Sequence, residues 1–247
     1  MRFLTASASL LALSVTACAQ EASNGVSAAD KAAIEEIVHA YILENPEIVE
    51  AALIQLGEQR EAEEEERARQ AILAQADAIY NDPRDFSIGP ADAPVTVVEF
   101  FDYRCGFCKA SVEWVTALPA KHDGQVRVIF KEFPILSTES REAALAALAA
   151  GEQGKYVEMH RALMQSPSKL SDDDIEEIAE SVGVDIAKLR ADAKSTDVQR
   201  HVADVRALAE ATGTRATPTF IINGEVVSGF DRSRLEAVID SKLSEVG

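Results

Sequence analysis

The feature that most constrains the fold is a dense apolar run, Val95 to Phe101, which leads after three residues into the cysteines Cys105 and Cys108. Its β-branched and aromatic residues are typical of a strand buried on both faces. The stretch from Cys105 to about Leu118 has helical spacing, and Val126 to Phe133 repeats the buried-strand pattern. Because strand–helix–strand crossovers are right-handed, these segments predict a βαβ unit with two adjacent parallel strands.

The segments after this unit complete an α/β pattern. Pro119 is expected to end the first helix, and helical patterns then fill residues 138–213. The Asn223-Gly224 dipeptide is typical of a two-residue β-hairpin turn, and a last amphipathic helix follows it. The order β-α-β, helices, β-β-α predicts a thioredoxin fold with an inserted all-helical subdomain, in a domain that spans residues 83–247.

An N-terminal helical arm is predicted over residues 20–82. Apolar residues recur at helical spacing from Ile34 to Ile42 and at the start of a second helix, which is expected to run from Pro46 to about Tyr80. Residues 58–69 are highly charged, and apolar ends around a charged centre favour a spacer over a core helix. We expect residues 28–56 to join protomers into a dimer or trimer; the alternative is that the first helices pack on their own domain.

Residues 1–19 predict an export signal. Arg2 precedes an uncharged, mostly apolar run that is too short to span a membrane. Small residues on either side of Cys18 fit ordinary signal-peptidase cleavage, whereas Val15-Thr16-Ala17-Cys18 resembles a lipobox that makes Cys18 the lipidated first residue. The lipobox interpretation is favoured modestly. Both routes predict a periplasmic protein, with a lipid anchor to the cell envelope in the second.

The net charge limits the expected partners. The formal charge of the chain is −18 at pH 7. Nucleic acids and anionic membranes repel a surface of this sign, so neither is an expected binding partner.

The two downstream cysteines are the candidate catalytic residues. Either processing route removes Cys18 as a free thiol, which leaves Cys105 and Cys108 as the only thiols of the mature chain. At the first turn of a helix, the free N–H groups and the helix dipole favour the thiolate. We expect Cys105 to attack and to stay exposed, and Cys108, three residues on, to be shielded and to resolve a mixed disulfide.

Other uses of the cysteine pair fit less well. A structural disulfide over so short a loop stabilises little. A tetrahedral zinc site needs four ligands, and none of the four histidines lies near the pair in sequence. No metal or cofactor is therefore expected, and the histidines are interpreted as surface or structural residues. A Cu(I) ion held between two soft thiolates remains an alternative.

The sequence around the cysteines resembles the DsbA family of bacterial thioredoxin-fold proteins. The similar segments are Val97 to Lys109, Phe130 to Pro134 and Thr217 to Phe220. The resemblance covers about residues 84–247. Within the family the chain is most similar to the ScsC-like branch, whose N-terminal helices oligomerise, and residues 28–80 fit that plan.

The resemblance implies roles for three residues outside the cysteine pair. Thr217-Pro218 would be a cis peptide that faces Cys105 and presents backbone groups to a substrate strand. Glu99 would be a buried acid that takes part in proton transfer around the resolving thiol. Independently of the resemblance, Lys131 is a candidate partner for that acid.

Two departures from the DsbA oxidases shift the expected activity. Those oxidases carry Pro-His between the cysteines, where this chain has Gly106-Phe107. Cys105 is therefore expected to be less acidic and its disulfide less oxidising. Thr217 stands where the oxidases have Val, as in isomerases. Gly106 and Phe107 are expected to form an apolar rim for unfolded substrates.

These observations predict an exported thiol–disulfide oxidoreductase that leans to isomerase or reductase activity. Its expected substrates are unfolded or mis-bridged exported proteins, and its expected second partner is a membrane thiol-redox protein. The alternatives are a dithiol oxidase of the same family, a Cu(I)-binding envelope protein, and a lipid-anchored structural antigen.

Overall fold

A computed structural model describes residues 27–246 of the chain. The predicted export signal and Cys18 lie outside the described residues. The chain divides into two compact units, with the division between Gln59 and Arg60. Within the described range, no helix has both the length and the apolar character needed to cross a membrane.

The N-terminal unit is helical. Helix α1 spans Ala28–Glu44 and is capped by Ser27, whose side chain accepts a hydrogen bond from the Asp30 N–H. Helix α2 begins at Glu47 and runs to Ala74, past the end of this unit. The large apolar side chains of the unit are exposed: Ile34, Ile37, Val38, Tyr41, Ile42, Leu43, Ile48, Val49, Leu53, Ile54 and Leu56. Residues 28–56 therefore carry an apolar surface, as their spacing predicts.

The single helix predicted up to Tyr80 is interrupted. Helix α2 ends before Gln75, and a short helix α3 covers Ala76–Tyr80. Ile72 and Ile79 are buried in a cluster with sheet residues such as Phe100. The division between the compact units falls at 59/60, inside the predicted arm, and Ile72 and Ile79 contribute to the core of the second unit.

A five-stranded sheet forms the centre of the second unit, in the order β1-β3-β2-β4-β5. The strands are β1 (Ser87–Ile88), β2 (Val95–Phe101), β3 (Val126–Glu132), β4 (Thr219–Ile222) and β5 (Glu225–Ser228). Strands β2 and β3 are adjacent and parallel, as the βαβ pattern predicts. The β4–β5 hairpin is antiparallel and joins the sheet through β2, which is therefore its central strand.

The helices of this unit match the predicted insertion. They are α4 (Gly106–Lys121), α5 (Thr138–Gly151), α6 (Tyr156–Gln165), α7 (Asp172–Ser181), α8 (Ile186–Asp192), α9 (Thr196–Ala211) and α10 (Arg232–Val246). Helices α5 to α9 lie between β3 and β4 in the chain and form the inserted subdomain. Pro119 does not end α4 as predicted, because the helix continues for two more residues to Lys121; so near the C-terminus, proline costs only one of the last helical hydrogen bonds. The α/β class and the helical insertion are confirmed.

The sheet separates two hydrophobic cores. Val97 and Phe101 of β2 belong to the larger core, which also contains residues of α4 and α10 and much of the insertion. Val98 and Phe100 belong to the smaller core, with residues of α2, α3 and α9. Strand β2 is buried on both faces, so it can present a polar side chain to either core.

Candidate active site

Cys105 is the N-cap residue of α4, directly after the three-residue link from β2. In its thiol form, the Cys105 S–H donates a hydrogen bond to the carbonyl oxygen of Thr217, which lies 3.1 Å from the sulfur. Cys108 lies in the first turn of the same helix and is 0% exposed, as predicted. Cys105 is only 7% exposed, so the prediction of an exposed attacking thiol is wrong; the Thr217 segment covers the sulfur.

The two thiols differ strongly in acidity. The pKa of Cys105 is lowered from its ordinary value to about 5, chiefly by a hydrogen bond from the Cys108 thiol, although burial opposes the shift. The Thr217 side chain and the N–H groups of Cys108 and Phe107 lower that pKa further. Burial raises the pKa of Cys108 far above its ordinary value. At neutral pH the pair is therefore one thiolate and one thiol.

The Thr217–Pro218 peptide bond is cis, as the resemblance implies. It lies beside the cysteines because β4, which starts at Thr219, pairs antiparallel with the end of β2. The register places Thr219 opposite Phe100, close to the link that carries Cys105.

Glu99 is buried on the α4 side of β2. It is 1% exposed, and one carboxylate oxygen accepts a hydrogen bond from the Ser111 hydroxyl at 3.0 Å. Burial raises the pKa of Glu99 to about 8, with a smaller contribution from charge on Cys105. The Ser111 hydroxyl oxygen also lies 2.9 Å from the carbonyl oxygen of Cys108, so its single proton is shared between two acceptors and links this acid to the buried cysteine. Sequence reasoning missed Ser111, although a serine one turn after Cys108 on the inward face of α4 is a detectable signal.

Lys131 does not pair with Glu99, and that prediction is wrong. In the parallel register Glu99 lies opposite Phe130, whereas Lys131 lies opposite Phe100 and shares the other face of the sheet. The Lys131 ammonium donates to the carboxylate of Asp85 and to the carbonyl of Ala78. Adjacent residues of a strand point to opposite faces, so the one-residue offset separates the two side chains completely.

Asp102, in the link between β2 and α4, is a second buried carboxylate that sequence reasoning missed. It is 1% exposed and accepts four hydrogen bonds from neutral donors. The donors come from the link itself and from residues 135–140, which begin the helical insertion.

A third polar cluster lies at the same edge of the sheet. The Glu132 carboxylate accepts hydrogen bonds from the hydroxyls of Tyr103 and Tyr156, both at 2.9 Å. Tyr103 also contacts Nδ1 of His160 at 3.1 Å. Burial raises the pKa of Glu132 and lowers the pKa of His160 to about 3. His160 is therefore a neutral, structural residue, and the cluster joins α6 to the active-site strands.

Two large apolar side chains are exposed beside the cysteines. Phe107 is 67% exposed in the first turn of α4, as predicted, and follows Gly106, which is also exposed. Leu136 is 54% exposed, and its N–H contacts Asp102 in the active-site link. Leu136 was missed because it is 31 residues after Cys105 and lies in an irregular segment. Phe107 and Leu136 together form what we call the apolar rim.

No metal cluster accompanies the cysteines. Among residues 27–246, no group of three or more His, Cys, Asp or Glu side chains is arranged to hold a metal ion. A soft metal at this site would have the thiols of Cys105 and Cys108 as its ligands.

Two known families match the chain. The family described as Thioredoxin matches residues 80–241, which include the whole sheet and both cysteines. The family described as the copper resistance protein ScsC N-terminal domain matches residues 30–64, within the predicted arm.

Known proteins similar to the chain fall into two groups. A thioredoxin-like oxidoreductase from Silicibacter pomeroyi is 37% identical with a TM-score of 0.64, over 68% of this chain and 97% of that one. The thiol–disulfide exchange protein α-DsbA2 from Wolbachia pipientis is 28% identical with a TM-score of 0.66, over 72% of this chain and 96% of that one. The Na(+)/H(+) antiporter NhaA 3 of Salinispora tropica is 34% identical over 64% of this chain, which spans only 25% of the antiporter.

Proposed function

The chain belongs to the thioredoxin family, as a DsbA-like and ScsC-like thiol–disulfide oxidoreductase, and we propose that it reshuffles disulfides in exported proteins through Cys105 and Cys108. The observation that carries this proposal is the asymmetry of the pair. Cys105 has a thiol pKa lowered to about 5 at a helix N-terminus, and Cys108 is a fully buried thiol. One sulfur is prepared to attack, and the other stays protonated until it is needed.

The proposed reaction begins with the Cys105 thiolate. It attacks one sulfur of a substrate disulfide, so that a bond from Cys105 to the substrate forms while the substrate S–S bond breaks. The released substrate thiolate can then attack a different disulfide of the same protein, and a substrate thiolate finally displaces Cys105. No net electron transfer occurs in this isomerisation.

The reductive branch uses Cys108. Its sulfur attacks Cys105 in the mixed disulfide, the Cys105–Cys108 bond forms, and the substrate leaves with two electrons as a thiolate. We propose that the ionised fraction of Glu99, roughly a tenth at pH 7 because its pKa is raised to about 8, accepts the Cys108 proton as that bond forms. A membrane thiol-redox partner would then reduce the new disulfide.

The acidity of Cys105 supports reshuffling over strong oxidation. Attacking thiols with a pKa of roughly 3.5 are typical of strong oxidants, and a pKa of roughly 7 is typical of reductants. The value of about 5 lies between them. The Gly106-Phe107 pair supplies no histidine to stabilise the thiolate further. A dithiol oxidase is the competing assignment, and the experiment below separates the two.

The proposed substrates and assembly follow from exposed apolar side chains in each of the two units, and the proposed location follows from the chemistry of disulfides. The apolar rim suits unfolded chains whose cysteines are flanked by apolar residues. The exposed apolar side chains of residues 28–56 support assembly into a dimer or trimer, which would hold several sites around one substrate. We place the protein in the periplasm, where disulfides persist.

A scrambled multi-disulfide substrate tests this function. We expect catalytic amounts of the reduced protein to restore the native substrate, and the oxidised protein to form new disulfides in a reduced substrate only slowly. Cys105→Ser should abolish both activities, whereas Cys108→Ser should form a mixed disulfide that persists on a non-reducing gel. Ser181→Ala, a remote surface change, is the matched control. Fast oxidation with no reshuffling would instead assign a dithiol oxidase.

A further inference from the structure

The Asp102 carboxylate is held by four short hydrogen bonds. Oδ1 accepts from the Arg104 N–H and from the Ser140 hydroxyl, both at 2.7 Å. Oδ2 accepts from the N–H groups of Ile135 at 2.9 Å and Leu136 at 3.0 Å. We call this set the Asp102 clamp.

The backbone of Asp102 contacts the cysteine pair itself. Its carbonyl oxygen accepts the Cys105 N–H at 3.0 Å, which closes the turn before α4. Burial raises the pKa of the Cys108 thiol, and the Asp102 backbone opposes that shift. A shift of Asp102 would therefore move the supports of both thiols.

The clamp joins segments that are distant in sequence. Ile135 and Leu136 follow β3, and Ser140 lies in the first turn of α5, where the helical insertion begins. A 3.1 Å ion pair from Arg104 to Glu139 reinforces the same junction near the surface. The loop that bears Cys105 is thus fixed to the start of the insertion.

We propose that Asp102 is a positioning residue, whose carboxylate holds the Cys105 loop against residues 135–140 and so keeps the sulfur aligned with the N-terminus of α4 and the Thr217 carbonyl. This role rests on the proposed thiol–disulfide function of Cys105. The same clamp holds the backbone of Leu136, whose exposed side chain is one part of the apolar rim.

Only an ionised carboxylate can satisfy all four donors. An amide of the same shape has one accepting oxygen, and its NH2 group would face donors on the other side. Asp102→Asn is therefore expected to release the loop as well as remove a charge. The two effects are opposed: loss of a nearby negative charge lowers a thiol pKa, whereas loss of alignment with the N–H donors raises it.

The test is the pH dependence of Cys105 alkylation in the full reduced chain. Iodoacetamide labelling of Cys105 is followed by mass spectrometry in wild type, Asp102→Asn, Ser140→Ala and Asp85→Asn. Asp85 is the matched control because it is a buried carboxylate on the other face of the sheet, with a side chain 2% exposed. We expect the labelling midpoint of Asp102→Asn to rise by about one pH unit, or roughly tenfold in thiolate fraction below the midpoint.

Ser140→Ala removes one of the four donors, so its midpoint should rise by a smaller amount. Asp85→Asn should lose unfolding stability without a change in midpoint. A midpoint that is unchanged or lower in Asp102→Asn overturns the positioning role; if that variant does not fold, Ser140→Ala decides by the same criterion. A wild-type midpoint near that of an ordinary thiol would contradict the proposed function itself, which separates the two failures.

Discussion

The buried carboxylates on the two faces of the central sheet have different kinds of partner. On the α4 face, Glu99 is fully buried with one hydroxyl as its hydrogen-bond partner and no cation, and its pKa is raised to about 8. On the other face, Asp85 is equally buried but contacts both Lys131 and His201. A carboxylate held by an ammonium group fastens the structure, whereas the unpaired Glu99 can take up and release a proton near neutral pH. In the proposed function, the α4 face would be used for chemistry and the other face for stability.

The largest effect is expected from removing the ammonium group that pairs with Asp85. Lys131→Ala leaves Asp85 buried without its ammonium partner, so we expect the free energy of unfolding to fall by about 3–5 kcal/mol in urea at pH 7. The alkylation midpoint of Cys105 should not change. Lys155→Ala, which removes an exposed pair with Glu158, is the control and should cost at most about 0.5 kcal/mol. A loss of similar size in both variants would remove the distinction between the faces.

The next largest effect is expected from changing Glu99, the buried carboxylate without a cation partner. Glu99→Gln keeps the shape of the side chain but cannot accept the Cys108 proton, so we expect closure of the Cys105–Cys108 disulfide from a mixed disulfide to slow roughly 10–100-fold at pH 7. Stopped-flow release of a fluorescent thiol measures this step. Glu113→Gln, on the exposed side of α4, should leave the rate unchanged. Equal rates in wild type and Glu99→Gln would show that the buried acid is not the proton acceptor.

The pH dependence of stability should have opposite signs for the two titrating groups of the α4 face. The pKa of Glu99 is raised from 4.5 to about 8, so its contribution is complete below pH 4.5 and is lost as the pH rises through 8. The pKa of Cys105 is lowered from 9.0 to about 5, so its contribution is complete above pH 9 and is lost as the pH falls through 5. Each slope is at most about 1.4 kcal/mol per pH unit.

Urea unfolding from pH 5 to 8 measures both slopes. Reduced Glu99→Gln should gain stability relative to reduced wild type as the pH rises. Reduced wild type should gain stability relative to the oxidised form, which has no Cys105 thiolate, over the same range. A reduced-minus-oxidised difference that stays flat would contradict the acidity assigned to Cys105.

The smallest effect on the free energy of unfolding is expected from changing His201, the second partner of Asp85. Besides Lys131, Asp85 contacts the Nε2 atom of His201, at 3.0 Å. His201→Gln retains a donor of similar reach, so the expected loss of unfolding free energy is roughly 1 kcal/mol. A larger loss, near that of Lys131→Ala, would mean that the histidine is an equal partner of the carboxylate.

Features with a local signal could be predicted from the sequence. Cys105 and Cys108 at a strand–helix junction, the βαβ unit and the Asn223-Gly224 hairpin each depend on residues close together in the chain. The helical insertion followed from continuous helical spacing between β3 and β4. The cis bond at Pro218 came from the resemblance alone.

Features that depend on distant contacts could not be predicted. Strands β2 and β3 are buried on both faces, so no alternation of polarity showed that Glu99 and Lys131 face apart. Leu136 and Asp102 meet only because the end of β3 lies beside the end of β2. Ile79 belongs to the apolar end of the predicted second helix, and no local signal showed that it enters the core of the second unit.

The burial of Cys105 limits which disulfides could reach its sulfur. With 7% of the residue exposed and the Thr217 carbonyl against its sulfur, only a thin, pliable stretch of polypeptide can bring a disulfide into line for attack. A disulfide inside a folded, rigid domain could not approach the Cys105 sulfur for steric reasons. In the proposed function, this enclosure would spare correctly folded proteins without any need to recognise their sequences.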